Sequence, residues 1–136
     1  IPSSVTEISN GSFEDCSSLS EIIIHSSITE IKFDTFKHCS QLKMISLPST
    51  ILKIENNAFF ECSSLEEIQF PSSLIEIGEN AFFGCSSLIE ISIPKTVTVI
   101  GDNAFKNCSS LKKVTIPSSY KLKKIGIYKR VEQNRI

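Results

Sequence analysis

A fixed spacing governs this chain. Phe13, Phe36, Phe59, Phe82 and Phe105 stand 23 residues apart, and Cys16, Cys39, Cys62, Cys85 and Cys108 keep the same step. Leu19, Leu42, Leu65, Leu88 and Leu111 repeat it, as do Ile8, Ile31, Ile54, Ile77 and Ile100. So does the column Ile22, Ile45, Ile68, Ile91 and Val114. Proline marks one corner at Pro2, Pro48, Pro71, Pro94 and Pro117, with His25 in its place once, and no insertion breaks the register between Ile1 and Ser119. Apolar side chains recurring this way predict a stack of similar units, because one unit alone cannot bury its own apolar face.

The unit around Leu88 shows what each repeat does. Leu88, Ile91 and Ile93 are expected to point inward and Ile89, Glu90 and Ser92 outward, the period-two pattern of a strand. Pro94 then ends the pairing, since it has no N–H. A second extended segment carries Val97 and Ile100 inward and closes at Gly101. The stretch Asp102–Cys108 predicts a short helical turn, with Asp102 or Asn103 accepting from its exposed N–H groups and Ala104, Phe105 and Cys108 dropping inside. Each unit therefore returns beneath its own start. Piling five or six such coils at ~4.8 Å predicts a slab about 25–30 Å long with parallel strands on one face.

The pattern Leu-x-x-Ile-x-Ile-Pro-x-x-Val-x-x-Ile-Gly-x-x-Ala-Phe-x-x-Cys resembles the leucine-rich repeat, in its BspA-like subclass. The resemblance covers residues 1–119, with full repeats starting at 1, 24, 47, 70 and 93; residues 120–136 form a divergent basic repeat, cap or tail. It implies an α/β solenoid, a right-handed superhelix with a parallel β-sheet on its concave face and short extended or helical turns on the convex side. It also implies a non-catalytic protein-interaction scaffold of the surface-adhesion kind, as in bacterial or parasitic-protist surface proteins. One slot departs from the general leucine-rich pattern. Where Asn or Cys follows the strand, this chain has Ser4, Ser27, Thr50, Ser73, Thr96 and Ser119. A ladder of hydroxyls can bond the turn's backbone groups there.

The residues that suggest chemistry all fall into the same columns. Stacked cysteines would lie ~5 Å apart, close enough for disulfides, but an odd column leaves a thiol over and equal spacing favours no pair. A straight line of thiols does not converge as zinc requires, so buried packing is the expected role. His38 and Cys39 are adjacent, and adjacent residues on a helical turn face different ways. The doubled serines after each cysteine lie where the chain leaves the turn, with no nucleophile elbow around them. No phosphate-binding glycine loop, HExxH or acidic calcium loop is present. Two glycosylation sequons occur, at Asn10 and Asn107. The expectation is no enzyme, no cofactor and no metal.

If the inward columns are fixed, recognition falls to the outward positions of the strand face. There Glu21, Lys43, Glu66, Glu67, Gln69, Glu90, Lys112 and Lys113 are the candidate protein-binding residues, beside Ile23, Met44 and Ile89. A solvated sheet face is the plainer alternative. The formal net charge is −1, but six basic residues against Glu132 after Ser119 make that end +5 and leave −6 on the repeats. The basic end either meets an acidic partner or is a solvated tail. We expect a protein partner, no nucleic acid and no membrane insertion of this segment. The chain starts inside a repeat and reads as part of a longer array. The family favours a cell-surface location; free cysteines fit a reducing cytosol slightly better, and an intracellular structural repeat protein in a cytoskeletal assembly is the alternative.

Overall fold

The computed structural model describes residues 1–136. Ten short strands follow in chain order: β1 Glu21–Ile23, β2 Glu30–Ile31, β3 Met44–Ser46, β4 Lys53–Ile54, β5 Glu67–Ile68, β6 Glu76–Ile77, β7 Glu90–Ser92, β8 Val99–Ile100, β9 Lys113–Ile116 and β10 Glu132–Arg135. Every pairing is parallel and joins one coil to the next. Strands β2, β4, β6 and β8 make one unbroken sheet, through Ile31, Ile54, Ile77 and Ile100 in register. On the other strand face β1 pairs with β3 and β3 with β5, while β7 pairs with β9 and β9 with β10. The molecule is a parallel-sheet β-solenoid.

Between the sheets runs the apolar interior. The rings of Phe13, Phe36, Phe59, Phe82 and Phe105 stack with centroids 5.0–5.3 Å apart and planes within 13°. Offset stacking of this kind adds about 0.5–1.5 kcal/mol per pair beyond the buried area. Leu88, Ile91 and Ile93 are buried and Ile89, Glu90 and Ser92 exposed, as the alternation predicts. Thr50 and Ser73 donate their hydroxyls to Ile28 O and Ile51 O of the preceding coil, at 2.7 and 2.6 Å. Ser64 and Ser87, each the second of a serine pair, do the same to Ser40 O and Ser63 O. Hydroxyls thus satisfy carbonyls between coils.

The turn side corrects the α/β expectation, because no residue is helical there. Two columns have left-handed backbone. Asp34, Asn57, Asn80 and Asn103 have φ of 55–59°, and four residues on His38, Glu61, Gly84 and Asn107 have φ of 56–74°. An α-helix tolerates neither. Between them the amides alternate. Lys37 N–H bonds back to Asp34 O within the turn, whereas Phe36 and His38 N–H reach Ala58 O and Phe60 O of the next coil. Asp, Asn and Ala-Phe look like a capped helix in sequence, yet asparagine and aspartate also accept the left-handed conformation. Bonding to the next coil outcompetes bonding within a helix.

Two irregularities mark the ends. Where proline stands, the residue three along donates to its carbonyl at 3.1–3.3 Å, as Ile51 does to Pro48 O. His25 makes no such corner; its own N–H donates to Ile1 O, and Ser26 beside it is buried with its hydroxyl unpaired. At the other end the last coil is four residues short, since Lys113 lies opposite Glu132 rather than residue 136. Ile125 and Ile127 are buried there, while β10 is exposed throughout.

Candidate functional site

The strand face carries all eight outward candidates, and the structure gathers only four of them. The pairing between coils repeats as a bond from Lys43 N–H to Ser20 O at 2.9 Å, Glu66 N–H to Lys43 O at 3.3 Å and Lys112 N–H to Ile89 O at 2.8 Å. No counterpart joins Ile89 to Glu66, so β5 and β7 lie side by side unpaired. Behind the break everything holds: β4 pairs with β6, and Phe59 N–H reaches Ala81 O at 2.8 Å. The sheet is split only on its outer face.

Phe70 stands at the split. Its column otherwise holds Ile24, Leu47, Ile93 and Ile116, so it is the one aromatic among aliphatics. Its ring meets Phe82 edge-on, with centroids 5.6 Å apart and planes at 77°. This ring immediately follows Ile68 and Gln69 and so lies beside the unpaired edge of β5. A single odd residue in a column was the available sequence signal.

The opening is a cleft of about 460 Å³ lined by Glu66, Glu67, Gln69, Ile89, Glu90 and Ser92. Gln69 donates to Glu67 Oε1 at 3.0 Å and orients that carboxylate. No lysine or arginine pairs with Glu66, Glu67 or Glu90; the lysine ion pairs join Lys32 to Glu7 and Lys53 to Glu76. Ile89, 48% exposed, puts an aliphatic surface amid the carboxylates. Across Glu67 lies a smaller hollow of about 230 Å³, lined also by Met44. Glu21, Lys43, Lys112 and Lys113 remain on the same face outside the acidic cleft.

The chemistry suspected of the cysteines and histidines resolves differently. Cys39, Cys62, Cys85 and Cys108 are buried free thiols, and each donates to a phenylalanine carbonyl of the preceding coil at 3.0–3.3 Å. Burial pushes Cys39 up to about 11 and Cys108 up to about 12, from 9.0, and raises Cys62 and Cys85 as well. These thiols stay neutral and unreactive near neutral pH. His38 points its two ring nitrogens at Asp15 and Glu61, 3.1 and 3.5 Å away, and not at Cys39. No cluster of His, Cys, Asp and Glu converges as metal ligands would. Of the two sequons, Asn10 and Asn107 are both exposed, though Cys108 beside the second is buried.

A BspA type leucine-rich repeat region, in six copies, matches residues 29–129. The chain belongs to the BspA-type leucine-rich repeat family. The T. pallidum leucine-rich repeat protein is similar over all of this chain and 68% of its own, at 29% identity and a TM-score of 0.86. A leucine-rich repeat protein from Bacteroides ovatus is 39% identical over 84% of this chain, with a TM-score of 0.79. A leucine rich cell surface protein from Faecalibacterium prausnitzii is 30% identical over 83% of this chain, with a TM-score of 0.72. The chain covers 32% and 31% of the lengths of these last two. No curated protein matches it. For a BspA-type array the 23-residue spacing is the repeat itself, and the variable outward columns are its free surface.

Proposed function

We propose that this BspA-type array is a non-catalytic protein-binding scaffold whose recognition centre is the cleft between β5 and β7. The observation that carries this is the local loss of strand pairing where three unpaired carboxylates, Glu66, Glu67 and Glu90, surround an exposed Ile89. An arginine or lysine suits such a place: its methylene stem lies on Ile89 while its charge meets the carboxylates. The partner is accordingly a protein presenting an extended segment with one central arginine or lysine. Lys43, Lys112 and Lys113 flank the cleft and set its direction, admitting acidic residues beyond the basic anchor. Attachment at a cell surface is the setting we favour, in keeping with the F. prausnitzii relative.

Calorimetry with ten-residue synthetic peptides carrying one central arginine, lysine or norleucine tests it. Arginine and lysine peptides are expected to bind, with affinity falling as salt rises, and norleucine peptides to bind far more weakly. Equal affinity for norleucine would sink the assignment, as would undiminished binding by a Glu66→Lys/Glu90→Lys variant.

A further inference from the structure

The sheet of β2, β4, β6 and β8 has an outer face that nothing in the chain covers. One outward column along it reads Thr29, Leu52, Ile75, Thr98 and Lys121. Its coils are tied together by bonds of 2.8 Å, from Leu52 N–H to Thr29 O, Ile75 N–H to Leu52 O and Thr98 N–H to Ile75 O. Tyr120 N–H closes its corner on Pro117 O as Val97 N–H does on Pro94 O, so Lys121 stands where Thr98 stands one coil earlier. Leu52 and Ile75 are 40% and 43% exposed, and Val99, one coil on from Ile75 in the next column, is 49% exposed. Scattered exposed aliphatics need no explanation, but three on successive coils form a patch.

Charge brackets this patch with opposite signs. Two coils before Ile75, Glu30 on β2 has no cationic partner, since the ion pairs beside it join Lys32 to Glu7 and Lys53 to Glu76. A notch of about 180 Å³ opens there, lined by Thr6, Glu7, Thr29 and Glu30 among others. Two coils after Ile75, Lys121 is exposed and has no acidic partner. Both charges therefore lie about 10 Å from Ile75, in opposite directions.

We propose that this face pairs with the same face of a second copy of the chain, antiparallel, about a two-fold axis at Ile75. A two-fold contact requires a self-complementary surface, and the order of residues here supplies one. Ile75 meets the partner's Ile75, Leu52 lies toward the partner's Val99, and Lys121 reaches the notch at the partner's Glu30. Glu76 beside the axis is already held by Lys53 at 3.2 Å, so bare carboxylates do not face each other there. A parallel pair would set Glu30 against Glu30 and Lys121 against Lys121, which the charges oppose. The contact leaves the β5–β7 cleft on the other sheet free.

Sedimentation equilibrium from micromolar to millimolar protein, at low and high salt, tests the pairing. A reversible monomer–dimer equilibrium is expected, weaker at high salt. Ile75→Glu, an exposed position whose folding a thermal melt checks, should weaken the dimer about tenfold or more. Glu30→Lys and Lys121→Glu should each weaken it as well, and the two together, which only exchange the charges, should restore it. Carbodiimide cross-linking of mixed isotope-labelled and unlabelled protein should join Lys121 of one copy to Glu30 of the other. A chain that stays monomeric at every concentration, a dimer indifferent to Ile75→Glu, or a charge exchange that fails to restore pairing would each overturn the proposal.

Discussion

The two sheets of this solenoid are built from the same repeat and behave differently. β2, β4, β6 and β8 pair without interruption, whereas the opposite face is interrupted between β5 and β7. The unbroken sheet is backed by Ile31, Ile54, Ile77 and Ile100, an identical residue in each coil. The broken face is backed by a column that changes from aliphatic to Phe70 and back. Parallel stacking therefore tolerates variation outside the core freely and variation inside it poorly. The break coincides with the one bulky residue in its column, while the coils stay joined behind it.

The heaviest blow to that contrast would come from the interior. Phe82, fully buried, stacks on Phe59 and Phe105 and also meets Phe70. Phe82→Ala should cost about 3–5 kcal/mol in urea denaturation, whereas Glu90→Ala on the exposed face should stay within about 0.5 kcal/mol. A loss below about 1 kcal/mol for Phe82→Ala would mean that the ring ladder does not hold the two sheets together.

Charge on the split face comes next. Reversing Glu66 and Glu90 together should weaken an arginine-bearing peptide by at least about 1.4 kcal/mol, tenfold in affinity. Reversing Glu21, on β1 and outside the cleft, should change it by much less. Comparable effects at the two places would make the face a diffuse acidic field rather than a site.

Phe70→Ile makes the column aliphatic throughout and sharpens the comparison most directly. Pairing of β5 with β7 should appear, read as slowed hydrogen exchange at the Ile89 amide, and the cleft should close. Stability should change by less than about 1.5 kcal/mol, since the lost ring and the gained bonds oppose each other. Unchanged exchange at Ile89 would show that something other than Phe70 keeps the strands apart.

These differences also explain what could be read in advance. The core columns were legible because an inward position repeats its demand in every coil, so Phe36, Phe59 and Phe82 announce one another. The strand alternation at Leu88–Ile93 was legible for the same reason. The turn was misjudged at Asn103 and Asn107, where the residues that cap helices are also those that accept a left-handed backbone, and only the neighbouring coil's carbonyls decide between them. Glu66, Glu67, Gln69 and Glu90 could be named as outward. Their convergence could not, because it depends on a pairing that fails three-dimensionally beside Phe70.

The thiol ladder supplies the mildest test, since it ties coils together behind the split; Cys85 donates to Phe59 O across it. Burial raises Cys108 from 9.0 to about 12 in the folded protein. Above pH 9 the unfolded chain therefore gives up this proton while the folded chain keeps it, so the stability contribution is complete below pH 9 and drains away as pH rises toward 12. At about pH 10 the loss should be ~1 kcal/mol for such a thiol. Urea midpoints of the native chain and of Cys108→Ala, compared at pH 8 and pH 10, isolate it because every other titrating group is common to both. The native chain should lose more on going to pH 10 than the variant does. Identical losses would show that the Cys108 thiol takes no part in the alkaline weakening.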